Sequence, residues 1–274
     1  MTSGARAGSP EVAIPASETV PGLVTVAIPA RNESASIRRV LDAVRSQTYP
    51  DLQIVVVDGS SEDDTAAIVA DVARSDPRVE LVANPDRVIP RAMNLALAHA
   101  RGEWFVRVDA HCRIDDDYVE RVVEHLRTGR WAGVGGRKDG VGRTSQGRAI
   151  AAVMGSPFGQ GNSVYHYGTE TRTVDHIPFG AYPTDLIRQQ FTHAAITFPT
   201  PPAVPANTLR ALPQVADMRV ENGTTTLYSS GVAQTIEALS GVAVAHGDDL
   251  TGLAVRQATL EDVFLQLTGR RIRE

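Results

Sequence analysis

Three apolar runs, each breaking into a polar turn at its carboxyl end, constrain this chain more than any other feature. They are Leu23-Val-Thr-Val-Ala-Ile-Pro-Ala-Arg-Asn-Glu33, Ile54-Val-Val-Val-Asp58 with Gly59-Ser60-Ser61, and Trp104-Phe-Val-Arg-Val-Asp109 with Ala110-His111. β-Branched runs without polar alternation suit strands covered on both faces. From Leu23 to about Gly136 the pattern alternates strands at 23–28, 53–58, 79–82, 104–109 and 132–136 with helices at 34–46, 64–74, 90–100 and 116–127. That rhythm predicts an α/β unit with a parallel sheet and right-handed crossovers. In such a sheet ligands sit outside the carboxyl ends of the strands.

Punctuation agrees with this reading. Ser34 precedes the first helix, Asp63 or Asp64 caps the second, and Gly102 is expected to close the third. Residues 1–21 are rich in Ala, Ser, Pro and Thr and read as a flexible tail, without the apolar centre of a signal peptide. No run approaches the ~20 apolar residues that span a bilayer. A net charge of −5 provides no basic footprint for nucleic acid. One cysteine, Cys112, cannot form an internal disulfide, which fits a reducing cytoplasm.

Regularity falls between Gly140 and Tyr182. The aromatic loop Phe158-Gly-Gln-Gly-Asn-Ser-Val-Tyr-His-Tyr-Gly168 suggests a surface that meets a ligand or partner. The run Phe198-Pro-Thr-Pro-Pro-Ala-Val-Pro205 then sits within a different rhythm. Strands are expected at 193–198, 215–220, 224–228 and either 242–246 or 250–256, with helices at 206–211, 231–239 and 259–268. Asn222-Gly223 between two β-rich runs signals a hairpin. The expected domains are therefore 22–190 and a small α+β, ferredoxin-like unit over 191–274.

The strand ends carry the candidate chemistry. Asp58 offers a carboxylate to a base or ribose edge, or simply begins the Asp-Gly-Ser-Ser turn and caps the next helix. Asp109 and His111, two residues apart at a strand exit, offer an oxygen and a nitrogen to a divalent ion on a diphosphate. The imidazole favours Mn²⁺ over Mg²⁺. Asp115, Asp116 and Asp117 read as the charged start of a helix. Asn32 and Glu33 suit a ribose or base, or a capping turn. His99 and His125 read as surface or packed side chains, and Cys112 has no partner that would activate its thiol.

Taken together, Ile-Pro-Ala-Arg-Asn-Glu (28–33), Val-Val-Asp-Gly-Ser-Ser (56–61), Asn-Pro (84–85), Ala-His-Ala-Arg-Gly-Glu (98–103) and Val-Arg-Val-Asp-Ala-His (106–111) resemble the family 2 glycosyltransferases. Val-Gly-Arg-Thr (141–144), Tyr165-His-Tyr-Gly168 and Ile-Pro-Phe-Gly-Ala-Tyr (177–182) are similar to the succinoglycan-biosynthesis type, in which the usual Asp-x-Asp metal motif reads Asp-x-His. The resemblance covers about residues 23–188. It implies a GT-A (Rossmann-like) fold, a nucleotide-diphosphate sugar donor, Mn²⁺ or Mg²⁺, a carbohydrate or lipid-linked acceptor and an inverting displacement. Pro29, Arg31, Asn32, Glu33 and Asp58 would line the nucleotide, Asn94 would lie near the donor, and Asp109 and His111 would hold the metal. Met93 stands where many relatives place an arginine, with Arg91 two residues earlier.

The resemblance stops where relatives carry a paired acidic motif that takes the acceptor's proton. Gln189-Gln-Phe-Thr-His193 stands there instead, so the transferase part reads as truncated and its catalytic residue as unassigned. Asp248-Asp249 reads as a turn and Glu261-Asp262 as part of a capped helix start. Thr259-Leu-Glu-Asp-Val-Phe-Leu-Gln-Leu-Thr-Gly-Arg270, with Leu212-Pro-Gln-Val215, is similar to the C-terminal domain of ATP-binding subunits of ABC-2 type exporters. No Gly-x-x-x-x-Gly-Lys-Ser/Thr loop accompanies it, so ATP hydrolysis is not implied. The two expected functions are a glycosyltransferase-like donor-binding protein and a noncatalytic fusion that docks on an exporter subunit. The expected location is the cytoplasm, with peripheral contact at the inner membrane as its variant.

Overall fold

The computed structural model describes residues 18–142, 144–156, 164–174, 177, 180–191, 193–247 and 250–257. Among them the chain divides between Leu186 and Ile187 into two compact units.

The first unit alternates β1 (Val20–Ala30), α1 (Ile37–Arg45), β2 (Leu52–Asp58), α2 (Thr65–Ser75), β3 (Val79–Ala83), α3 (Ile89–His99), β4 (Gly102–Arg107) and α4 (Tyr118–Arg127). Then come α5 (Ser145–Met154), a 3₁₀ turn at Val164–His166 and β5 (Ala181–Pro183). Every residue of β2 is buried, as its unbroken apolar run requires. Helix α1 buries Ile37, Val40, Leu41 and Val44, a spacing that turns one stripe onto the sheet. These side chains pack with Val24, Val26, Ile28, Ile54, Val56, Val106 and Val119 in one core.

Strand order is β3-β2-β1-β4-β5. Strand β1 runs parallel to both β2 and β4, with Ala30 opposite Asp58 and Ala27 opposite Arg107, and β3 extends the parallel set. The chain moves outward from β1 through β2 to β3 and then returns to β1's other side, so the topological switch lies between β1 and β4. The fold class is the α/β one expected. Strand β5 adds an antiparallel edge to β4, which makes the sheet mixed.

Several local expectations change. Residues 132–136 form no strand, because only Val134 bridges to Ala181. The N-cap of α1 is Ser36, two residues beyond Ser34, whose amide is held by the Asp63 carboxylate at 3.0 Å. Gly102 does not close α3 but opens β4, where its amide donates to Thr25 Oγ1 at 2.9 Å. That hydroxyl donates to Gln53 Oε1 at 2.8 Å, and Gln53 Nε2 donates to the His99 carbonyl at 2.9 Å. Buried polar groups are thus paired across β1, β2 and the end of α3, as burial demands.

Helix α6 (Thr184–Phe191) straddles the division between the units. The second unit then runs β6 (Ala194–Pro199), α7 (Ala206–Arg210), β7 (Val215–Glu221), β8 (Thr224–Ser229), α8 (Val232–Ala245) and β9 (Ala254–Gln257). Its strands lie in the order β7-β8-β6-β9, with every neighbour antiparallel. Asn222 and Gly223 both take positive φ and turn β7 into β8, as that dipeptide predicts. Residues 242–246 are not a strand: they end α8, and the last strand, at Ala254–Gln257, overlaps the end of the alternative span 250–256. Ile196, Phe198, Leu227 and Leu239 centre a separate core. Asp248-Asp249 and the helix expected over 259–268, including Glu261 and Asp262, lie outside the described residues, as do residues 1–17 of the tail expected over 1–21, whose last two residues, Val20 and Pro21, instead open β1.

A Cβ on Gly102 would sit 2.5 Å from the Thr25 backbone nitrogen, a clash with a central strand that cannot yield. Gly102→Ala is therefore expected to destabilise the chain by about 1–3 kcal/mol, read as a fall in the urea midpoint.

Candidate functional site

The parallel register brings the ends of four strands to one edge. Three of them are followed by a turn with one residue in a left-handed conformation: Asn32 at φ 55° after β1, Ser60 at φ 53° after β2 and Arg87 at φ 62° after β3. Non-glycine residues take this conformation at a cost, and such residues gather where a site over-determines them. Here polar bonds do so. Asn32 N donates to Ser61 Oγ at 2.9 Å, its Oδ1 accepts from Glu62 N at 2.8 Å, and Glu33 N donates to Thr65 Oγ1 at 2.7 Å. The turns after β1 and β2 are thereby tied together.

At this edge lies an open cleft of about 170 Å³ lined by Pro29, Arg31, Glu33 and Gly59, by Asn84, Arg87, Val88 and Ile89, and by Arg107, Asp109 and His111. Small-molecule sites commonly enclose ~300–1,000 Å³, so this cleft suits one charged part of a ligand whose remainder lies in the open. Three guanidinium groups and two carboxylates face it, with one imidazole. Arg107 Nε donates to Asp109 Oδ1 at 2.8 Å, and His111 Nδ1 lies 2.8 Å from Glu33 Oε1. Arg87 pairs with Glu62 only at 3.5 Å across exposed surface, a contact that holds it weakly.

Five of the eight sequence candidates meet at this cleft: Pro29, Arg31, Glu33, Asp109 and His111. Asn32 and Asp58 do not line it. Asp58 is 9% exposed and turns its carboxylate onto its own loop, accepting from Ser61 N at 3.1 Å and Ser61 Oγ at 2.5 Å. Asn94 is buried within α3, with an Oδ1 that has no hydrogen-bond partner among the described residues. Asn84, Arg87 and Arg107 lie outside the sequence candidates. The Asn-Pro and Val-Arg-Val-Asp patterns contained two of them, but neither pattern tells which side chains turn toward a cleft. Asn84 is 1% exposed; its Nδ2 donates to the Val88 carbonyl at 3.0 Å while its Oδ1 has no partner among the described residues. Buried acceptors without partners are uncommon and mark places that a ligand or water completes. Asp115 to Asp117 sit at the start of α4, where Asp117 pairs with Arg121. His99 pairs with Glu80 on the surface.

No group of three or more His, Cys, Asp and Glu gathers as a metal site among the described residues. The donor chemistry of the pair still suits a divalent ion. Asp109 uses one oxygen on Arg107, and His111 uses Nδ1 on Glu33, so the other oxygen and Nε2 have no protein hydrogen bond among the described residues. A carboxylate oxygen and an imidazole nitrogen are donors that a divalent ion such as Mn²⁺ would accept.

Over residues 25–192, more than half its length, the chain matches the model described as "Glycosyl transferase family 2", and it belongs to that family. The first unit is the GT-A-like α/β fold of such transferases. Among curated relatives, the succinoglycan biosynthesis protein ExoA of Rhizobium meliloti (strain 1021) is 34% identical over 155 residues, which are 55% of this chain and 47% of that protein. A dolichyl N-acetyl-alpha-D-glucosaminyl phosphate 3-beta-D-2,3-diacetamido-2,3-dideoxy-beta-D-glucuronosyltransferase of Methanococcus voltae is 23% identical over 175 residues, 61% of this chain and 54% of its own. Among solved structures, the mannosyltransferase PcManGT from Pyrobaculum calidifontis, in complex with GDP-Man and Mn²⁺, superposes with a TM-score of 0.46 at 26% identity, covering 61% of this chain and 46% of that one. The chain spans about half the length of the curated relatives it matches. No helix among the described residues is long and apolar enough to cross a membrane.

Cys112 sits beside the cleft residues but is half-buried, and burial together with the Asp109 carboxylate pushes its thiol up to about 11. Because the thiolate is the reactive form, iodoacetamide should label the native chain slowly at pH 8 and rapidly once it is unfolded. The native rate should climb only as pH nears 11, as followed by mass spectrometry.

Proposed function

We propose that the first unit binds a nucleotide-diphosphate sugar with a divalent cation and transfers the sugar to a carbohydrate or lipid-linked acceptor. The carrying observation is the convergence of Asp109, His111 and three arginines on one cleft at the switch between β1 and β4. The succinoglycan-biosynthesis name of a relative 34% identical supports polysaccharide assembly as the setting.

In this reading Asp109 and His111 hold Mn²⁺ or Mg²⁺. When bound, the ion neutralises negative charge on the diphosphate leaving group. Arg31, Arg87 and Arg107 supply further positive charge, and a guanidinium recognises phosphate oxygens through paired donors. Arg107 also holds Asp109 through one oxygen and so keeps its orientation. Asn32 and Asp58 act one step back: their bonds to Glu62 and Ser61 shape the turns that carry Arg31, Glu33 and Gly59. Asn94 lies near the donor from within α3. The acceptor-side base is the missing part, because Gln189 to His193 stand where the resemblance implies a pair of acids. Without that group about 10²–10⁴-fold of acid–base assistance is forgone, and turnover is slow.

The residues from Ile187 onward carry their own core and a β-α-β-β-α-β order, which supports reading them as a ferredoxin-like module attached to the transferase part. The alternative function, a noncatalytic fusion whose module docks on an ABC exporter subunit or another partner, has that separate core in its favour.

Calorimetry with UDP and GDP, each with and without Mn²⁺, separates the two. Donor binding predicts metal-dependent heat that Asp109→Ala weakens more than about 10-fold, in line with the cost of disturbing a metal ligand's surroundings. Nucleotide release from a panel of donor sugars should exceed that of the Asp109→Ala protein. A folded chain that binds neither nucleotide in the presence of Mn²⁺ rules out the transferase reading.

A further inference from the structure

We infer that Glu33 is a positioning residue: its carboxylate fixes the imidazole of His111 in the form that carries a proton on Nδ1 and leaves Nε2 as a lone pair for the cation. The inference rests on the donor-binding reading above and assigns Glu33 a task other than contact with the nucleotide.

The geometry consists of three linked contacts. His111 Nδ1 lies 2.8 Å from Glu33 Oε1. The other carboxylate oxygen, Oε2, accepts from Ser36 Oγ at 2.7 Å, and Ser36 is 9% exposed at the N-cap of α1. The Glu33 backbone is held independently by its amide, which donates to Thr65 Oγ1. Glu33 is therefore fixed at its main chain and at one oxygen before it meets the histidine.

An ionised carboxylate only accepts hydrogen bonds, so the ring nitrogen facing it must be the donor. In a neutral imidazole the other nitrogen is then unprotonated. Which nitrogen binds a metal is set in this way by the hydrogen bond the other one makes. Without Glu33 nothing in the described surroundings holds the ring: the His111 side chain is 67% exposed, whereas that of Glu33 is 24% exposed. A free ring would turn and would no longer be held to the Nδ1–H form. Ordering it in advance removes that cost from cation binding and raises the basicity of the ligand nitrogen.

The test reads the ring directly. Imidazole ¹⁵N–¹H correlation spectra of the metal-free full chain report which nitrogen carries the proton. His111 of the unsubstituted chain should show the Nδ1–H form. Glu33→Ala should shift it toward Nε2–H and weaken Mn²⁺ binding by about 10–100-fold, measured from the electron paramagnetic resonance of free Mn²⁺. Glu33→Gln, which keeps an accepting oxygen, should recover most of both. Glu80→Ala is the matched control: Glu80 Oε1 lies 2.5 Å from His99 Nδ1, so that substitution should move the His99 signals and leave Mn²⁺ affinity unchanged. A Glu33→Ala chain with unaltered His111 signals and unaltered Mn²⁺ affinity would overturn the positioning role while leaving the donor-binding reading intact. An unsubstituted chain that binds no Mn²⁺ would overturn both, whatever the state of its ring.

Discussion

Strand β1 is hydrogen-bonded on both sides to parallel partners, and the site depends on that single constraint. Because β2 and β4 run in the same direction as β1, their carboxyl ends open on one edge of the sheet. Because the chain visits β2 and β3 on one side and β4 on the other, the turns diverge there and leave a crevice between them. Glu33 and His111, 78 positions apart, meet across this crevice. A sheet in which β4 followed β3 on the same side would put two strands between them and hold them about 14 Å apart.

The polar contacts at that edge are organised to restrain loops. Asp58 and Asn32 spend their side chains on Ser61 and Glu62, holding two neighbouring turns in conformations that non-glycine residues adopt at a cost. What remains at the cleft is a nearly balanced set of arginines, carboxylates and one histidine, in which Arg107 restrains Asp109 and Glu33 restrains His111. In the proposed reading a diphosphate and a cation enter together more readily than either alone, because each neutralises the charge left by the other.

The sequence conveyed the α/β unit because its signals are local. Uninterrupted Val and Ile runs mark covered strands, and the Ile37, Val40, Leu41 and Val44 spacing marks a helix face. Its failures were tertiary. The antiparallel strand 181–183 is too short to carry a pattern and exists through its pairing with Trp104, Phe105 and Val106. Gly102 looked like a helix terminator but is required where β4 passes the Thr25 backbone. Residues 242–246 alternate too weakly to separate strand from helix, and packing of Leu239 and Ala243 decided for helix. At the site, Asp109 and His111 were legible as a pair at a strand exit. The direction of the Asp58 carboxylate, and the presence of Arg87 and Arg107 at the cleft, depend on turn conformations that no residue pattern specifies.

The central claim is that a cation and a diphosphate meet where β1 and β4 diverge. A crystal of the full chain grown with UDP or GDP and Mn²⁺, measured at a wavelength where manganese scatters anomalously, would locate the ion directly. The account predicts one anomalous peak within coordination distance of Asp109 and of His111 Nε2, with phosphate oxygens beside it and the arginine side chains around them. A peak elsewhere, or a bound nucleotide whose phosphates lie away from this edge, would contradict it.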